Sequence, residues 1–153
     1  MLSPSDWNRL KELVDILAPF AEAASAVQQS SEPAISFVLP TVLELHNRLL
    51  SFIEKKQHLR RLGADMLLSL KNHFKGIFAT VGLSGESDRL ADDWSLRCSH
   101  PYGNPVYVVA SVLDPRFCFN WIAHVHEDEA TKDNIKQRIE GSLCALPGLI
   151  NSF

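Results

Sequence analysis

Leu59-Arg60-Arg61-Leu62-Gly63-Ala64-Asp65-Met66-Leu67-Leu68-Ser69-Leu70-Lys71-Asn72-His73-Phe74-Lys75-Gly76-Ile77-Phe78 decides the fold class. Apolar side chains recur at Leu59, Leu62, Met66, Leu70, Phe74 and Ile77, with Leu67 and Phe78 beside them. Steps of three and four residues sustained over this length put one apolar stripe along a helix and are incompatible with the alternation of a strand. The spacing predicts one continuous helix over 59–78, ended by Gly82 and Gly85.

Working outward, the same periodicity recurs on both sides. Ser3-Pro4-Ser5-Asp6 has the chemistry of a helix start: Ser3 caps, Pro4 suits the first helical position, and Asp6 faces the positive end of the dipole. Trp7, Leu10, Val14 and Leu17 follow at spacings of three, four and three, widened by Leu13 and Phe20. Pro19 is expected to kink or break this helix, because it has no N–H to donate. Gln28-Gln29-Ser30-Ser31-Glu32 is a polar connector. Ile35, Val38 and Leu39 form a short helical or extended entry to Pro40, and a helix is expected from about Thr41 into the segment 51–78, with Pro40 suited to its first turn.

Residues 80–104 form a long connector, expected to be helical around Ser87–Leu96. Val106, Val108, Val109 and Val112 give 105–113 strand-like composition, but their alternation is poor. Phe119, Trp121, Ile122 and Val125 predict a short apolar helix. A last helix opens at Glu127-Asp128-Glu129, carries Ile135, Ile139, Leu143 and Leu146 as its stripe, and stops at Pro147-Gly148.

Composition bounds the function classes. The 153 residues suit one domain with one core, at 46% apolar and 22% charged. No apolar run approaches the ~18–20 residues that span a bilayer, and the N-terminus lacks the basic and apolar regions of a signal peptide. A soluble intracellular chain, nuclear or cytoplasmic, with no membrane partner is the expectation. Cys98, Cys118 and Cys144 are then expected as reduced thiols.

Net charge is −3, but it is unevenly spread. Residues 51–78 hold Lys55, Lys56, Arg60, Arg61, Lys71 and Lys75 against Glu54 and Asp65, and both flanking regions are acidic. Lys56 and Arg60 are four apart, as are Lys71 and Lys75, which predicts that each pair shares a helix face. This basic segment is the candidate nucleic-acid contact, weighed against an ordinary solvated helix face.

Other chemistry is sparse. Cys98-x-His100, Cys118 and His124-x-His126 contain zinc-type ligands but miss the short paired spacings of zinc sites. No nucleophile elbow and no Gly-rich phosphate loop is present. The residues predict no metal, no cofactor, no small-molecule substrate and no catalytic group. Trp7, Trp94 and Trp121 read as core side chains before partner anchors.

The segment Ala110-Ser111-Val112-Leu113-Asp114-Pro115-Arg116-Phe117 resembles the A-x-x-L-D-P-R-F signature of hAT-family transposases and the host genes descended from them. Leu2 to Trp7 followed by Leu13 to Ala23 is similar to the family's L-x-x-x-x-W … L-x-x-L-x-P-F-x-x-A-T helix, with Ser25 near the usual Thr. Pro33-Ala34-Ile35-Ser36-Phe37-Val38-Leu39-Pro40-Thr41-Val42-Leu43-Glu44-Leu45 is similar to its P-T-I-S-x-V-L-P-x-x-x-x-L block. The three blocks stand in the family's order across residues 2–117. The resemblance implies an all-α domain of about five to seven helices over 1–153, like the helical insertion of those enzymes, and it favours a helix at 105–113. The family's catalytic Asp, Asp and Glu lie outside these blocks, so no catalytic residue is carried over. Asp114 is a signature residue only, expected to cap the following turn, with Arg116 pairing to a carboxylate or a helix end. The function implied is that of a non-catalytic, domesticated fragment that binds a protein partner or itself. A nucleic-acid-binding module is the alternative.

Overall fold

The computed structural model describes residues 3–29, 35–83, 99–124 and 129–144. Among them are six α-helices, one short 3-10 helix and no strand, so the fold is all-α. The helices are α1 (Pro4–Gln29), α2 (Ile35–Lys55), α3 (Arg60–His73), α4 (Lys75–Thr80), α5 (Val106–Leu113) and α6 (Glu129–Cys144). The 3-10 helix, Asn120–His124, lies between α5 and α6.

Helix α2 is the hub. It packs chiefly against α3 and α5, and also against α1 and the 3-10 helix. Its buried face carries Leu39, Val42, Leu43, Leu45, Leu49 and Phe52. Ile16, Leu70, Ile77, Phe78, Val108, Trp121, Ile122, Ile135 and Ile139 close the same core from the other elements. At about 1.5–3 kcal/mol for each large apolar side chain fully buried, this cluster is the main source of stability.

Neither proline breaks its helix. Helix α1 runs through Pro19 to Gln29, and α2 begins at Ile35 and runs through Pro40. An internal proline costs about 3 kcal/mol by removing one backbone donor and crowding the previous turn. Burial of Leu39, Val42 and Leu43 around Pro40 is enough to offset that. The start of α1 matches expectation. Asp6 N–H donates to Ser3 Oγ (3.2 Å), while Ser3 N–H and Ser3 Oγ both donate to Asp6 Oδ2 (3.0 and 2.7 Å). This reciprocal capping holds the Asp6 carboxyl below its ordinary pKa, through the Ser3 side chain first.

The predicted helix over 59–78 is two helices. Phe74 leaves the helical region (φ −105°, ψ 33°) between α3 and α4. Gly76 N–H donates to Pro101 O (3.0 Å), outside the helix ladder. The 100–103 backbone crosses so closely that a Cβ on Gly76 would stand 2.3 Å from Gly103. The Tyr102 ring packs at a tilt on the Phe74 ring, with centroids 4.6 Å apart. The apolar stripe survives the break, since Leu70, Ile77 and Phe78 are buried. Gly82 ends the segment at φ +75°, as expected.

Residues 106–113 form a helix despite their β-branched composition. Val108 and Ser111, three apart, face inward, and Ser111 Oγ donates to Val108 O (2.9 Å), which satisfies the buried hydroxyl of this helix. No strand is present among the described residues to pair with a strand there, so burial decides the backbone. The short apolar helix predicted after Phe117 is the 3-10 helix. The expectations at Ser87–Leu96, Gly85, Glu127–Asp128 and 145–148, and the side chain of Leu143, lie outside the described residues.

Candidate functional site

The Leu113–Phe117 turn is built by its proline. Asp114 takes an extended backbone (φ −78°, ψ 117°) and ends α5, as the residue before Pro115 is biased to do. Its carboxylate then folds onto the chain ahead. Arg116 N–H and Arg116 Nε donate to Asp114 Oδ1 at 3.0 and 2.9 Å, and Arg116 Nη2 donates to Oδ2 at 2.6 Å. These bonds, the Arg116 side chain first and then the Ser36 hydroxyl, hold the Asp114 carboxyl far below the usual carboxylate range. The Arg116 guanidinium lies 4.7 Å over the Phe37 ring, and Phe37 meets Phe117 edge-on at 5.1 Å. Asp114 and Arg116 thus tie the end of α5 to the start of α2. Leu113, in contrast, is 71% exposed.

A cavity of about 360 Å³ opens between this turn, α1 and α2, with Pro19, Pro40, Phe117 and Trp121 among its lining residues. Arg48 also lines it, and bridges Glu22 of α1 (3.1 Å) to Glu44 of α2 (2.7 Å). The Trp121 side chain is 4% exposed, and its Nε1 has no hydrogen-bond partner.

The basic segment is less coherent than its spacing suggests. Lys55 ends α2, Lys56 lies in the connection, and Arg60 and Arg61 open α3, so Lys56 and Arg60 do not share a helix. Lys71 is on α3 and Lys75 begins α4, on opposite sides of the break at Phe74. Lys56 Nζ donates to Asp15 Oδ2 at 2.7 Å, and that bond raises the Lys56 pKa. Arg60 and Arg61 are exposed. The four-residue spacings would mark shared faces only on an unbroken helix, and the helices here end at Lys55 and His73.

Helix α1 shows the largest departure from the sequence reading. Its inward residues are Glu12 and Ile16, with Leu13, Phe20 and Ala23 packed against the core. The stripe of Trp7, Leu10, Val14 and Leu17 points outward instead. Trp7 is 55% exposed and Val14 67% exposed, with Leu10 and Leu17 also exposed. Two polar contacts set this rotation. Glu12 Oε2 accepts the Leu59 N–H (2.9 Å) just before α3, and Asp15 holds Lys56. Both acids sit between apolar positions and carried no signal in the sequence. Trp7, Leu10 and Val14 line a shallow groove with Lys11 and Asp15.

No group of three or more His, Cys, Asp or Glu side chains able to hold a metal occurs among the described residues. The side chains of His100 and Cys118 are described, while those of Cys98, His124 and His126 are not. Cys118 is exposed, at φ +45°. No described helix is long and apolar enough to cross a membrane. No protein-family model, curated protein or solved structure matches the chain.

Proposed function

We propose that this chain is a hAT-transposase-like helical domain with no catalytic role, working as a protein-interaction or self-association module. The single observation that carries the reading is the outward face of α1. Trp7, Leu10, Val14 and Leu17 form a connected apolar stripe left in solvent. Water exclusion from such a stripe favours association. The transposase lineage rests on the three ordered sequence blocks. Their Asp-Pro-Arg element contributes a structural clamp, since its charges bond to one another.

The reading is tested with Val14→Asp/Leu17→Asp, which alters only exposed positions. The double variant is expected to keep its helical far-UV spectrum and lose any association that the unaltered chain shows in sedimentation. Equal association by both proteins would remove α1 from the function. The nucleic-acid alternative has its own test, in which binding to duplex DNA at low salt should fall steeply as salt rises and weaken on Arg60→Glu/Arg61→Glu.

A further inference from the structure

The outward stripe of α1 is longer than its four large residues. Trp7, Leu10, Val14, Leu17, Ala21 and Ala24 follow one another at steps of three, four, three, four and three. All six are exposed. This is the a/d seam of a coiled coil, sustained over most of one helix and turned to solvent. The core of the domain uses other positions of the same helix, Leu13, Ile16 and Phe20. The seam is therefore surplus to the fold.

The order of sizes along the seam is directional. Large side chains occupy its N-terminal end and alanines its C-terminal end. We infer that the seam pairs with α1 of a second copy of this chain, antiparallel, about a two-fold axis between Asp15 and Ile16. This inference rests on the interaction reading above and names its partner. The register sets Trp7 against Ala24 of the second copy, Leu10 against Ala21, and Val14 against Leu17. Each layer then combines a large with a small residue, or two of middle size, so the helices stay evenly spaced. A parallel pair would stack Trp7 on Trp7 at one end and alanine on alanine at the other, and would splay.

Charge is compatible with the antiparallel choice: the two Asp15 side chains approach near the axis, but each is paired with its own Lys56 (2.7 Å), and Glu22 also holds Arg48 (3.1 Å). At about 100° per residue, Lys11 and Glu22 project on the same flank of the seam. The two-fold brings Lys11 of each copy to within about two residues, or ~3 Å of axial rise, of the other copy's Glu22. Opposed macrodipoles add a favourable term. The Trp7–Ala24 seam is roughly 26 Å long and about 10 Å wide. That is below the ~800 Å² per partner of a standard interface, so micromolar or weaker association is expected.

The test combines sedimentation with cysteine pairing, on the full chain carrying Cys98→Ser, Cys118→Ser and Cys144→Ser. Sedimentation from micromolar to near-millimolar concentration should show a monomer–dimer equilibrium, lost on Val14→Asp while helix content is kept. A Trp7→Cys chain mixed with an Ala24→Cys chain, under mild oxidation, should give the mixed disulfide in preference to either symmetric one. A dominant disulfide between two Trp7→Cys chains would overturn the antiparallel register. A dimer insensitive to Val14→Asp would overturn the seam as its interface. A monomer at every concentration would overturn self-pairing. In that case, binding of another protein that Val14→Asp abolishes would leave the broader interaction reading standing, and its absence would remove both.

Discussion

His46 and Asp114 show how single side chains shape the response of the fold to acid. His46 is buried on α2 beside Phe78, with its Nε2 unpaired and its Nδ1 at 3.3 Å from Asn47 Oδ1. Desolvation lowers its pKa, and Lys71 adds to the effect. Below about pH 6.5 the unfolded chain binds a proton at His46 that the folded chain refuses, so stability falls as pH falls through that value. Asp114 acts lower on the scale. Its folded pKa is depressed, so its contribution is present above about 3.8 and is lost as pH falls through the folded value. Thermal melts from pH 8 to 2 should therefore show two declines, the first starting near pH 6.5 and the second below about pH 3.8. In His46→Leu the first should disappear and the second remain. Asp114→Asn should blunt the second, because the Arg116 guanidinium then faces a neutral amide.

The junction of α3 and α4 sets the limit of the periodic reading at the scale of elements. The stripe from Leu59 to Ile77 was legible, because burial follows spacing whether or not the helix is continuous. The break was not legible, because it is caused by the 100–103 backbone, distant in sequence, crossing at Gly76. Gly76→Ala should destabilise the protein by at least about 2 kcal/mol in denaturant unfolding, since backbone rather than a flexible side chain must yield. Gly141→Ala, on α6, is the control, with nothing within 4 Å of the new methyl group, and should be neutral or slightly stabilising. Helix α1 shows the complementary failure. Its start was readable from Ser3 and Asp6, but its rotation was not, because two apolar arcs compete for the core on one helix. The arc containing Ile16 is inward, with Glu12 and Asp15 bonded to the chain around Leu59 and Lys56. At 105–113 the β-branched valines favour a strand by composition alone, but their poor alternation does not support one, and the segment is a helix.

For the whole molecule, burial of the Ile16 arc leaves an all-α domain whose largest unexplained feature is the seam on its outer surface. The basic segment spreads across three helices and their breaks, with Lys56 bonded to Asp15. The Asp114 and Arg116 side chains bond to each other, and Arg116 lies over Phe37, so this turn joins α5 to α2. The two described tryptophans are opposites, Trp7 outward and Trp121 in the core. Hydroxyl-radical footprinting read by mass spectrometry measures both in one experiment on the unaltered chain. Trp7 should be oxidised rapidly in dilute solution and become protected as concentration rises, while Trp121 stays protected throughout. Protection of Trp7 in dilute solution would contradict the outward orientation of α1, and oxidation of Trp7 undiminished at high concentration would contradict its role in self-association.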